Sequence, residues 1–424
     1  MSGTESSRRQ FLLSTAGLSL VALAPQVPPF LAAAAEQAGS GEQAADRATS
    51  DRAAADRVLV VVQLTGGNDG LNTVVPFRDE RYRQARPTLA LPENQLSKLN
   101  ADLGLHPSLR GFARLWEAGE LAILQGVGYP NPNRSHFESL DIWHTARREA
   151  PGRTAGWLGR YLDATLDAQG ELAAQAIHVG SEVQPLALTA TRGVAASLRS
   201  AEELRFAAGP TGDRWQAAWE ASAGAGGKGD DLLSFVRTVS VSARNTSRQL
   251  EQAASRRGGT PVSYPETDLG HKLQTVGQLI DSGLPTRVYY VMLDGFDTHA
   301  AQPAAHAGLL QQLGDAVSAF RDDLTRRGHQ RRVLLMAFSE FGRRVAENAS
   351  QGTDHGAAAP VFLTGATVQG GLVGAHPSLT DLDDGDLKHH TDFRRIYAGL
   401  LSRWLGIPSG PLVGDEFAPL TVWS

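Results

Sequence analysis

The chain has 424 residues, 42% hydrophobic and 20% charged, which is enough apolar material for a large core. Its 40 Lys+Arg against 45 Asp+Glu give a formal charge of −5, so it offers no basic field for a nucleic-acid partner. With 0 cysteines, disulfides, thiolate metal sites and a cysteine nucleophile are excluded, and any metal must sit on His, Asp, Glu, Asn or hydroxyl ligands.

The chain begins with Ser7-Arg8-Arg9-Gln10-Phe11-Leu12-Leu13, an uncharged and moderately apolar stretch from Ser14 to Ala24, then Pro25 and an alanine run from Ala32 to Ala35. That is the order of basic, apolar and small-residue regions in a signal peptide, and the adjacent arginines mark the twin-arginine kind. Residues 1–35 are therefore expected to direct the folded chain through the twin-arginine translocation machinery to the periplasm or beyond, with cleavage near Ala34 or Ala35. The apolar stretch falls short of the ~20 residues a bilayer span needs, so no stable membrane span is expected in the mature protein. Residues 36–57 hold no large apolar side chain and read as a flexible tether.

Val58 to Leu64 is a nearly continuous apolar, β-branched run, the pattern of a strand buried on both faces. Similar runs follow at Leu121 to Gln125, Ala176 to Val179, Arg287 to Leu293, Val333 to Phe338 and Val361 to Thr364. Between them, His106 to Ala118 and Leu309 to Leu324 carry apolar residues at helical spacing, and Phe393 to Trp404 does so near the end. This alternation predicts an α/β fold: one doubly wound, mostly parallel sheet with helices on both faces, over residues 58–424. Residues 204–265, rich in Ala, Gly, Ser and charge, are expected to form a helical insertion or cap, with a loop at Gly224 to Asp230.

Open parallel sheets bind ligands beyond the carboxyl ends of their strands, which makes the residues after each run the ones to inspect. After the first comes Gly66-Gly67-Asn68-Asp69-Gly70-Leu71-Asn72, in which Asp69 is a hard oxygen ligand or simply part of a turn. After the second comes Asn133-Arg134-Ser135-His136-Phe137, which sets a hydroxyl between an oxyanion-binding arginine and a histidine able to move protons or bind metal. Ser135 also suits the cap of a helix starting at His136. Asp294, Asp297 and His299 form an oxygen/nitrogen set suited to a divalent ion, with His306 seven residues beyond His299. Finally Ser339-Glu340-Phe341-Gly342-Arg343 precedes Gly352-Thr353-Asp354-His355-Gly356, whose adjacent Asp354 and His355 lie between glycines. Gly-x-Ser-x-Gly and P-loop patterns are absent, and the one Gly-x-Gly-x-x-Gly, Gly224 to Gly229, follows no strand-like run.

Through these segments and Thr391-Asp392-Phe393-Arg394, the chain resembles the exported bacterial family known as domain of unknown function 1501, over most of its mature length. More distantly its layout is similar to the alkaline phosphatase and sulfatase superfamily, a resemblance that implies one or two divalent metals. It would assign Asp69, Asp297, His299, Asp354 and His355 to metal and Ser135 to the nucleophile. The spacing departs from that superfamily, because Asp297 and His299 are separated by one residue. For its last histidine ligand, His376, His389 and His390 compete.

These readings combine into an expected hydrolase of phosphate or sulfate esters that uses zinc, manganese, calcium or magnesium. Ser135 would attack, His136 would move protons, and Arg134 or Arg343 would neutralise the oxyanion of a small-molecule ester. Two alternatives remain, a non-catalytic exported binding or assembly protein and a metal-dependent phosphomutase-like isomerase.

Overall fold

The computed structural model describes residues 56–169, 175–199, 262–420 and 422–423. The expected signal at 1–35, nearly all of the tether and most of the insertion at 204–265 lie outside the described residues. At the end of the tether, the Arg57 guanidinium donates to the Arg403 carbonyl at 2.7 Å.

The apolar run that opens the body has no polar face to turn to water, and it forms the central strand β1 (Val58–Thr65), buried along almost its whole length. The other strands of the main sheet are β2 (Leu121–Gly128), β3 (Ala176–Val179), β4 (Ala195–Leu198) and β5 (Val288–Asp294). They continue with β6 (Val333–Ser339), β7 (Ala359–Thr364), β8 (Gly371–Val373) and β9 (Thr391–Asp392). Their order is β8-β2-β7-β6-β1-β5-β3-β4, with β9 added to the free edge of β2. β1 runs parallel to both β5 and β6, and the sheet is parallel except at β7, which opposes both of its neighbours. The expected mostly parallel, helix-covered sheet is what forms.

Alternate residues of β1 enter different cores, as the period of two requires. Val58, Val60, Val62 and Leu64 pack with α3 (Arg110–Glu117), α6 (Asp268–Asp281) and α7 (Gln302–Arg326), two short helices, α1 (Gly70–Thr73) and α2 (Glu80–Ala85), having come earlier in the chain. Leu59 and Val61 pack instead with α4 (His136–Thr145), α5 (Trp157–Gln169) and α8 (Phe393–Gly399). The sheet is thus covered on both faces, and each fully buried Val, Leu or Phe contributes about 1.5–3 kcal/mol by leaving water.

Two helices differ from expectation. α7 begins seven residues before Leu309, with Pro303 in its first turn, where its missing N–H costs nothing. The helix from Phe393 gives way to a π-helical turn at Leu400–Trp404. Among the described residues, no helix is long and apolar enough to cross a membrane.

Candidate metal centre

The loops that follow β1, β2, β5 and β6 meet at the carboxyl end of the sheet. Their approach depends on missing side chains. A Cβ on Gly66, at φ +117°, would come within 2.4 Å of the Asp297 nitrogen, and one on Gly352 would lie 2.2 Å from the His299 backbone.

At this meeting point Asp297 Oδ1 is the hub. The Nε2 atoms of His299 and His355 each lie 3.0 Å from it and His136 Nε2 lies 3.4 Å away, while Arg343 donates to it at 2.8 Å. Ligand atoms of His136, Asp297 and His355 all fall within 4.8 Å of one another. The two imidazole nitrogens of His299 and His355 are 2.9 Å apart. The centre is open, since the Asp297 side chain is 48% exposed and that of His299 44%.

The far side of each ring explains the near side. His355 Nδ1 lies 2.8 Å from the Arg134 carbonyl, which only accepts, so Nδ1 carries the hydrogen and Nε2 of the neutral ring carries a lone pair. His136 Nδ1 is held the same way, 2.8 Å from the buried Glu340 carboxylate. His299 Nδ1 lies 3.5 Å from Asp354. Lone pairs on His136 and His355 therefore face a carboxylate oxygen and, for His355, another imidazole nitrogen. His136 Nε2 is buried without a hydrogen bond. Facing acceptors repel unless a cation or extra protons stand between them. The spacings of 2.9 to 3.4 Å equal the ligand-to-ligand edges, about 2.9–3.4 Å, of a polyhedron with metal bonds of about 2.1 Å. Anchoring of the outer ring nitrogen by carbonyl or carboxylate is also the habit of metal-bound histidine. The donor set fits a divalent ion.

The charges agree. Burial pushes the Asp297 carboxyl up, but the His355 ring and the Arg343 guanidinium beside it outweigh burial and hold the group well below the usual carboxylate range. The hydrogen bond to Glu340 raises the His136 ring above its ordinary value, against the effect of burial.

Of the residues singled out by sequence, the fold brings Asp297, His299, His355 and His136 together, and sets Asp354 behind His299, where it accepts from Asn348 at 3.2 Å. Asp69 is placed elsewhere. It caps α1 and is fully buried in an ion pair with Arg86 at 2.6 Å, which holds its pKa down although burial alone would raise it. Arg343, expected at an oxyanion, is 1% exposed and turns its guanidinium to the carbonyls of Gly66, Gly67, Phe296 and Thr353 as well as to Asp297. It clamps the loops. Arg134 pairs with Asp384 and Asp386. Ser135 is an exposed residue at the cap position of α4 whose hydroxyl makes no capping bond.

His306 is buried against Asn68 at 2.9 Å, His376 contacts the Pro377 carbonyl, and His390 the Ala375 carbonyl. His389 lines a cleft of ≈ 440 Å³ beside Arg134. Glu340 and Gln302 had no role in the sequence reading. Glu340 lies within a noted segment, but nothing local says that it turns inward to His136 and the Gly66 amide, 2.8 Å from each.

The family model described as a protein of unknown function, DUF1501, matches residues 55–402. No curated protein matches the chain in sequence. Similar solved structures include the lipoteichoic acid synthase LtaP from Listeria monocytogenes, at 8% identity over 85% of this chain and 75% of that one, with a TM-score of 0.39. The PsFucS1 sulfatase from Pseudoalteromonas sp. is 13% identical over 86% of this chain and 70% of its own, also with a TM-score of 0.39. A protein in the alkaline phosphatase superfamily from Vibrio parahaemolyticus is 11% identical over the same shares, again with a TM-score of 0.39.

Proposed function

The chain belongs to the DUF1501 family of proteins of unknown function, and on that premise we propose that it is an exported metal-dependent hydrolase of phosphate or sulfate esters. The observation that carries the reading is the convergence of three histidine Nε2 atoms on Asp297 Oδ1, with His136 and His355 locked from behind. His136, Asp297, His299 and His355 would hold the ion, and Asp354 would orient His299. Three imidazoles and one carboxylate suit zinc or manganese better than calcium or magnesium.

A bound divalent ion would supply Lewis acidity and lower the pKa of a nearby hydroxyl or water. The chain supplies the rest. Ser135 presents its hydroxyl one residue from His136 and is the nucleophile of this reading. Arg343 keeps Asp297 ionised and fixes the loops. Arg134 borders the ≈ 440 Å³ cleft, where an ester's leaving group would lie. The twin arginines, Arg8 and Arg9, would send the folded protein across the inner membrane, and their replacement by lysine is expected to leave it in the cytoplasm.

A second reading, a non-catalytic metal-holding protein, draws support from the commitment of both Arg343 and Arg134 to protein carboxylates and carbonyls. One experiment separates the two. Protein purified from the export compartment without chelator is assayed for metal and for release of phosphate or sulfate from an ester panel, beside His355→Ala and Ser135→Ala. About one equivalent of metal lost in His355→Ala, with ester cleavage lost in both, supports the hydrolase. Metal without turnover moves the reading to the binding protein, and absence of metal from folded wild type removes both.

A further inference from the structure

Apart from His136 on α4, the ligands of the proposed centre sit on two loops, Asp297-Thr298-His299 and Thr353-Asp354-His355, and each loop places a threonine hydroxyl away from the cluster, toward the protein interior. Both hydroxyls end on one side chain. Gln302, the first residue of α7 and 1% exposed, accepts from Thr298 Oγ1 at 3.0 Å and from Thr353 Oγ1 at 2.6 Å through its Oε1. Its Nε2 donates to Asp69 Oδ2 at 2.5 Å. Two hydroxyl donors on one side and a carboxylate on the other leave the amide a single orientation.

Asp69 continues the chain of contacts. Its Oδ2 also accepts from Arg86 at 2.6 Å, and the buried Arg86 donates to the carbonyls of Arg344 and Val345 at 2.9 Å each. Arg344 follows Arg343, the residue that donates to Asp297 Oδ1. The network thus closes around the centre from beneath, and Thr298, Thr353, Gln302, Asp69 and Arg86 are shielded from water, where misplacement of one hydrogen-bonding group is felt by the others.

We infer that Gln302 is a positioning residue for the proposed metal centre, its amide setting the Asp297–His299 loop against the Asp354–His355 loop by bridging Thr298 and Thr353 to the Asp69–Arg86 ion pair. This rests on the metal-centre reading. It gives Asp69 a place in the site without making it a ligand. The backbone ties between the loops, Thr353 N to Thr298 O at 3.3 Å and Gln302 N to Gln351 O at 2.9 Å, do not involve the amide and survive its replacement. α7 keeps its apolar packing through Leu310, Leu313 and Val317.

The test uses the mature protein, wild type, Gln302→Met and Gln302→Glu. Zinc affinity is measured by chelator competition, the visible spectrum is recorded with cobalt, and metal-free unfolding is followed by heat. Gln302→Met is expected to bind zinc about 10–100-fold more weakly and to change the cobalt spectrum, and, because Thr298, Thr353 and Asp69 lose a buried partner, to unfold at a lower temperature without metal. Gln302→Glu sets two carboxylates against each other and is expected to do worse. Wild-type affinity and spectrum in Gln302→Met overturn the inference, as does weaker binding with the wild-type cobalt spectrum, which means lost stability without displaced ligands. Wild type that binds no metal overturns the metal centre itself, a result that reads differently from any of these.

Discussion

His299 Nε2 and His355 Nε2 stand 2.9 Å apart, and each is 3.0 Å from the same oxygen of Asp297. The two rings come from loops 56 positions apart in sequence. No local preference of either loop calls for that contact, and the proposed cation would account for it.

His136 is the proposed ligand contributed by a helix rather than a loop. His136→Gln is expected to reduce zinc affinity by more than about tenfold, because the side chain keeps a polar end but loses the fixed imidazole lone pair. Glu340→Gln, which touches no metal, is expected to weaken binding less. Competition titration of the two variants checks the order, and wild-type affinity in Glu340→Gln would remove Glu340 from the account.

Gly66→Ala meets both a positive φ and backbone at 2.4 Å, so either the β1 loop or the Asp297 loop must move. A loss of about 1–3 kcal/mol in unfolding free energy is expected, together with weaker metal binding. A denaturant titration showing wild-type stability would mean that the two loops are not held in contact.

Arg86 and Asp69 are both fully buried, so removal of one partner leaves the other charged and unpaired. Arg86→Met is expected to cost about 3–5 kcal/mol. The measurement is the urea midpoint at neutral pH, and a change within about 0.5 kcal/mol would show the pair to be dispensable.

Burial lowers the pKa of His106, His144 and His306 to about 4 each. In the unfolded chain these rings protonate near the ordinary histidine value, about 6.5. Between about pH 6.5 and 4 the unfolded state therefore binds more protons than the folded state, and stability falls as pH falls through that window. Above it their contribution is complete. Urea midpoints of metal-free protein at pH 7.5, 6 and 5 are expected to decline in that order, and a flat series would mean that the rings are not buried neutral.

Much of the fold was legible because continuous apolar runs such as Val58 to Leu64 belong only in a strand covered on both sides. The carboxyl-end rule then pointed to the right loops. Asp297, His299 and His355 were drawn from them as ligands, and the structure brings these three side chains together. The sequence could not show that Asp69 turns to Arg86, since a carboxylate in a glycine-rich turn suits a cation of either kind, metal or guanidinium. Nor could it show the reversed direction of β7, because an apolar run does not encode which way its neighbours point.

Local spacing by itself determined six strands of the main sheet, three helical stretches and a short roster of chemistry-bearing loops, for hydrophobic periodicity and glycine punctuation act within a few residues of one another. Which side chains share the centre, and which brace it, was decided only by tertiary structure. Arg343, Gln302 and Glu340 are polar groups whose roles follow from the carbonyls, hydroxyls and imidazole that the folded chain brings within about 3 Å of them. Those partners lie as far as 277 positions away, as Gly66 does from Arg343, and burial, which makes such contacts obligatory, exists only once the sheet has formed.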